Sequence, residues 1–152
     1  MTTRVLAPVP GIVVAMADVP DPVFAGQMVG PGLAVEPLRA QRQTVVAPVD
    51  GLVGALHPHA FALELLDDRS VLVHLGIDTV GLAGLGFTLH VAVGDEVRAG
   101  DRVISWSPVD VAAAGLATVC PVVALQGDPA ALTPLVEAGV TVESGAPLFD
   151  WA

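Results

Sequence analysis

Lysine is absent from this 152-residue chain, cysteine occurs once, and aromatic residues make up only 4% of it. Without lysine there is no biotinyl or lipoyl carrier, because those folds need a modifiable lysine in a hairpin, although "APVDGLV" and the later "VGDEVRAGD" suggest such a module. Cys120 has no partner for an internal disulfide. With few aromatics and a hydrophobic fraction of 53%, the core must be assembled from Val, Leu, Ala and Ile, which favours strands over a Leu-only helical bundle. Basic side chains are scarce: six Lys plus Arg face sixteen Asp plus Glu, a formal net charge of −10. Such a field repels nucleic acid and anionic membranes and steers in a partner with a basic patch. The start, "MTTRVLAPVPG", lacks the basic and apolar regions of a secretion signal. The longest apolar stretch, "VDVAAAGLATVCPVVAL" from Val109, contains Asp110, Gly115 and Pro121 and is short for a membrane span. A cytoplasmic protein without direct membrane insertion is expected.

What is present is turn chemistry spread along the whole chain. Sixteen glycines and thirteen prolines imply many short elements joined by tight turns, and no spacer divides residues 1–152, so one all-β domain with little helix is expected. "VLAPVPGIV" at 5–13 is echoed by "VVAPVDGLV" at 45–53, and "VAVGDEVRAGDRVISW" at 91–106 by "VTVESGAPLFDW" at 140–151, a weak internal duplication. The runs "FAGQMVGPGLAVEP", "HAFALELLD" and "SVLVHLGI" have the length and apolar content of sandwich strands. The last two read as a hairpin. A turn centred between Asp68 and Arg69 places position 78 opposite His59 and Leu63 opposite His74, so a bulge, a diagonal contact or another strand must bring the two imidazoles together. "DPAALTPLVEAG" from Asp128 reads as a short helix or turn interrupted by Pro134.

The chemistry concentrates on "SVLVHLGIDTV". Leu72, His74 and Gly76 share one face of this strand and Val71, Val73 and Leu75 the other. Gly76 is expected to leave space beside His74. An imidazole there serves as nucleophile, general base or metal ligand, or is a satisfied histidine beside the core. "HPH" and "HLGID" are ligand-like spacings, so a zinc-dependent hydrolase of related sandwich fold is a rival reading. His90, Cys120, Trp106 and Trp151 read as packing or exposed strand residues, and Asp21 with Pro22 as a turn.

"VPDPVFAGQMVGPGLAVEP", then "VVAPVDG", then the run from "HAFALELLDD" through "VHLGIDTV" to "GDRVISW" resemble the glucose-type enzyme IIA family of the bacterial phosphoenolpyruvate-dependent sugar phosphotransferase system, over about Val5 to Trp151. The resemblance implies a compact, barrel-like antiparallel β-sandwich and a phosphotransferase working through a phosphohistidine. It makes His74 the phosphoryl acceptor and His59, fifteen residues upstream, the residue that steadies the phosphate. The implied donor is a histidine-containing phosphocarrier protein, and the implied recipient is a cysteine in the IIB domain of a membrane sugar permease. No cofactor and no resident metal are expected, although His59 and His74 could take up incidental zinc. Phe24, Val23, Leu75 and Phe61 are candidates for an apolar surround that excludes water and docks partners, with Asp78 either at the rim facing basic partners or a solvated turn acid capping Thr79. A regulatory adaptor switched by the same phosphorylation is an alternative. The chain departs from the common pattern in "ALHPHAF", where His57 stands near a frequent Thr whose hydroxyl orients the partner histidine. His57 either takes over that hydrogen bond or is an exposed turn residue. Leu75 replaces a frequent Phe.

Overall fold

The structure is a computed structural model describing residues 1–152. Fourteen short strands follow one another: β1 Thr3–Leu6, β2 Gly11–Ala15, β3 Gly32–Pro37, β4 Gln43–Val46, β5 Gly51–His57, β6 Ala60–Glu64 and β7 Ser70–His74 in the first half. The second half holds β8 Thr88–Leu89, β9 Glu96–Val97, β10 Arg102–Trp106, β11 Cys120–Ala124, β12 Leu132–Pro134, β13 Thr141–Val142 and β14 Pro147–Trp151. One eight-stranded antiparallel sheet runs β13-β2-β3-β11-β7-β6-β5-β9, and two three-stranded sheets run β4-β10-β8 and β1-β14-β12. Period-2 alternation decides how they pack. Inward residues of the large sheet, including Val35, Phe61, Leu63 and Val73, meet Val5, Val45, Ile104, Trp106 and Phe149 of the small sheets in one apolar core. The protein is therefore a β-sandwich.

The echoed motifs explain the corners. Each leaves a small sheet, β1 or β4, and enters the large one as β2 or β5. The two corners bond to each other reciprocally, Leu6 N–H to the Pro48 carbonyl at 2.9 Å and Val46 N–H to that of Pro8 at 3.0 Å. The later echo completes the relation. Ala7 exchanges backbone bonds with Gly145 and Ala146 just as Ala47 does with Gly100 and Asp101.

Two short α-helices add to the expected strands. α1, Pro22–Ala25, starts at Asp21, whose carboxylate accepts from Val23 N–H at 2.8 Å and Phe24 N–H at 3.4 Å, with Pro22 in the first helical position. α2, Pro108–Ala113, is capped by the Ser107 hydroxyl, which accepts from Asp110 N–H at 3.1 Å. The Asp128 segment is a single 3₁₀ turn, Pro129–Ala131, running directly into β12. A second apolar layer covers the outer face of β3, β7 and β11: Met16, Val19, Phe24, Ile77 and Val119 pack over Ala34 and Val123.

The β6–β7 hairpin corrects the expected register. Glu64 pairs with Ser70 and Ala60 with His74, so the five-residue connection is centred on Asp67 and His74 lies opposite Ala60, not Leu63. Asp68 adopts φ +66°, a left-handed conformation that Asp tolerates better than most residues. The Asp67 carboxylate accepts from Arg69 Nε at 2.8 Å. The Arg69 guanidinium also donates to the carbonyls of Trp151 at 3.0 Å, Ala152 at 3.3 Å and Met1 at 3.2 Å, and to the Thr3 hydroxyl at 2.8 Å. It lies 4.5 Å over the Trp151 ring. Residues near both ends of the chain are thereby fastened at the hairpin end remote from His74.

Candidate functional site

His74 closes β7, and the backbone bends immediately afterwards. Gly76 has φ +74°, and a Cβ there would come within 2.8 Å of both the Ala117 carbonyl oxygen and Thr79 Cγ2. The position a side chain at residue 76 would need is thus occupied. The glycine instead orients the imidazole, its carbonyl oxygen lying 2.6 Å from His74 Nδ1. A carbonyl only accepts, so Nδ1 carries the proton and Nε2 keeps its lone pair. The bend is held by Ile77 N–H donating to the Ala117 carbonyl at 3.0 Å and by the buried Thr79 hydroxyl donating to the Leu75 carbonyl at 2.7 Å. No sequence motif marks Thr79 for this part.

His59 reaches the site from a turn. β5 and β6 pair up to His57 with Ala60, which leaves Pro58 and His59 as a two-residue hairpin connection free of strand alternation. Leu75 N–H bonds the His59 carbonyl at 2.7 Å, and the imidazoles of His59 and His74 meet edge-on with centroids 5.0 Å apart. No bulge is needed to join them. His57, exposed at the end of β5, stacks on His59 at 5.8 Å with 30° between planes. The two rings share this stack and no hydrogen bond.

The surroundings of His74 and His59 favour the neutral form of each ring. Burial pushes the His74 pKa below its ordinary value, against the opposing effects of the Gly76 carbonyl, Asp21 and Asp78. His59 is also lowered, first by burial and then by His74 and His57. Asp78 is exposed at φ +61° and makes no cap bond to the turn after it, so the capping reading is not met. Asp21, expected only as a turn residue, both caps α1 and acts on His74.

The apolar surround needs correction. Phe24, only 8% exposed, sets its ring edge-on to His74 at 5.3 Å, and Val23 beside it is 41% exposed. Phe61 and Leu75 are wholly buried in the central core. Phe61 pairs with Val73, on the inward face, and Leu75 follows the same alternation. Neither can touch a partner.

No group of three His, Cys, Asp or Glu side chains is placed to hold a metal ion, so the zinc-hydrolase reading has no three-ligand site behind it. The Cys120 thiol is fully buried and pushed up to about 12, which leaves it unreactive. His90 bonds the buried Ser105 hydroxyl through Nε2 at 2.7 Å. A groove of about 840 Å³ is lined by Met1, Arg4, Leu66 and Arg98 among others and touches no histidine. No helix is long and apolar enough to cross a membrane.

Residues 3–130 match the family described as phosphoenolpyruvate-dependent sugar phosphotransferase system, EIIA 1. The PTS system glucose-specific EIIA component of Bacillus anthracis is 38% identical over 144 residues, 93% of this chain and 85% of that protein. The equally named protein of Oceanobacillus iheyensis is 38% identical over 121 residues, 78% of this chain and 72% of its own length. The PTS system glucose-specific EIICBA component of Streptococcus pneumoniae is 43% identical over 130 residues, 84% of this chain but 18% of that longer protein. The solved structure of glucose permease IIA from Mycoplasma capricolum superposes with a TM-score of 0.87 at 30% identity, covering 99% of this chain and 96% of that one.

Proposed function

The chain belongs to the EIIA 1 family of the phosphoenolpyruvate-dependent sugar phosphotransferase system, and we propose that His74 is the histidine on which it carries phosphate. Its activity is phosphoryl transfer within that system, through a phosphohistidine. The observation that carries the assignment is the 2.6 Å contact from His74 Nδ1 to the Gly76 carbonyl, with His59 5.0 Å away. The free lone pair of Nε2 attacks the phosphorus of an incoming phosphohistidine in line. The new N–P bond forms as the donor's N–P bond breaks, and the electron pair returns to the donor imidazole. Catalysis of such a loose transfer is mainly positioning and charge stabilisation. Nδ1 keeps its proton throughout, and the Gly76 carbonyl stabilises the positive character the ring gains. An N–H of His59 donates to an equatorial phosphoryl oxygen. Phe24 covers one side of the ring and limits attack by water.

Protein partners follow from the same surface. Phosphate carried at an exposed edge passes between proteins, so no ligand cavity is required, and the large groove elsewhere is not involved. The donor is a histidine-containing phosphocarrier protein with a basic face, attracted by the acidic surround of Asp21 and Asp78 and seated against Val23 and Phe24. The recipient is a cysteine of a IIB domain. This agrees with relatives named EIICBA and EIIBCA components, in which a domain like this one is part of a longer chain. Incubation with phosphoenolpyruvate, the general phosphotransferase enzyme and the phosphocarrier protein should add one acid-labile phosphate, seen by intact mass and localised to His74. Labelling of His74→Ala at the normal rate overturns the assignment.

A further inference from the structure

His57 has no part in the relay just described, yet it is the third imidazole of a continuous array. Its ring is stacked at 5.8 Å on His59, which in turn abuts His74 at 5.0 Å. Its backbone is fixed by pairing with Ala60 at the mouth of the two-residue turn that carries His59, so the stack limits how the His59 ring can rotate. Its own face is open to solvent. The other titratable groups around the array are Asp21, ahead of α1, and Asp78, after β7, both of which act on His74. Residues 79–86, whose Gly84 lies against Pro58, carry no titratable side chain.

We propose, building on His74 as acceptor, that His57 is a positioning residue for phosphoryl transfer: its ring holds His59 in place and brings a second positive charge behind His59 once His74 is loaded. With the site empty, His59 is discouraged from protonating by burial and by both neighbouring imidazoles, His74 and His57. A phosphoryl group on Nε2 adds about −1.5 to −2 charges and reverses the balance. Protons taken from solvent then settle on His59 and His57, and the loaded state is held more firmly as pH falls. An exposed partner on the far side of the stack can take up its proton without desolvation cost. The outcome is a phosphocarrier whose transfer equilibrium is linked to proton uptake.

The test follows the carbon-bound imidazole protons by NMR, before and after enzymatic phosphorylation, in the full chain and in His57→Phe and His57→Gln. The exposed position makes both variants compatible with folding. In the wild type the protonation midpoints of both histidines should rise on phosphorylation, that of His59 by about one pH unit and that of the more distant, exposed His57 by about half as much. The equilibrium with the phosphocarrier protein, measured from pH 5.5 to 8, should favour this chain more steeply at low pH than in either variant, by about threefold per pH unit. A His57 midpoint that stays put while mass shows His74 labelled overturns the proposal. So do variant profiles that superimpose on the wild type, or a His57→Phe profile that keeps the full slope. Absence of label on wild-type His74 instead overturns the acceptor assignment, and this inference with it.

Discussion

His74 is oriented by Gly76, its neighbour two residues on, through one 2.6 Å contact from Nδ1 to a carbonyl oxygen. Gly76 can present that oxygen because its backbone stands at φ +74° with no room for a Cβ. Gly76→Ala should therefore lower stability by about 1–3 kcal/mol and slow phosphorylation of His74 by about tenfold or more. Thermal unfolding and the initial rate of label incorporation check the two effects. A Gly76→Ala protein with wild-type labelling would show that the tautomer is set elsewhere.

Acid should weaken the fold through the same histidines. His74 and His59 have lowered pKa values in the folded protein, whereas in the unfolded chain they titrate near about 6.5. Below that pH the unfolded state binds more protons than the native state, so stability is fully present above it and is lost as pH falls toward the folded values. Melting temperatures measured between pH 7.5 and 5.5 should fall, and the double variant His59→Gln, His74→Gln should give a flatter curve. Equal slopes would place the acid sensitivity in other groups.

Phe61 and Val23 should separate folding from docking. Phe61→Ala empties the centre of the core and should cost about 3–5 kcal/mol, read by denaturant unfolding. Val23→Asp alters an exposed residue beside Phe24 and should leave stability within about 0.5 kcal/mol while slowing phosphorylation severalfold. A Val23→Asp protein labelled at the wild-type rate would remove α1 from the docking face.

Much of this is legible in the residues, and the limits have physical causes. Alternation along Val71–Leu75 fixes which side His74 faces, and that same alternation already places Leu75 on the opposite side, out of reach of a partner. Phe61 is misplaced by a reading from sequence because closeness to His59 in the chain does not specify the face, which depends on pairing with Val73. The register escapes because it turns on Asp68 adopting a left-handed backbone, a choice open to several residues in "LLDDRS". α1 is too short to show helical periodicity. Its available signal is the pair Asp21–Pro22, an acid able to cap followed by a proline suited to the first turn. Nothing in the sequence reveals that Thr79 folds back onto the Leu75 carbonyl, since that contact exists only once the Gly76 bend has formed.

Arg69 should prove a fold determinant despite its distance from the chemistry. Its guanidinium satisfies three carbonyls and a hydroxyl from residues near the two ends of the chain, so Arg69→Ala leaves several acceptors without their charged donor, at a cost of about 2 kcal/mol. Hydrogen exchange should quicken in β1 and β14 first. Uniform acceleration through β6 and β7 as well would mean that the hairpin, and not the chain ends, depends on it.

The five-residue link between β6 and β7 has an evolutionary consequence. What the site requires is that Ala60 face His74; the interval of fifteen positions is only the contour length of one hairpin that meets this condition. Insertions at the tip around Asp67 can be absorbed there, leaving both imidazoles in place while the interval lengthens. A single deletion between His74 and Gly76 has no such refuge. Homologues with irregular histidine spacing are therefore best aligned from the transfer edge outward, with gaps assigned to the far tip.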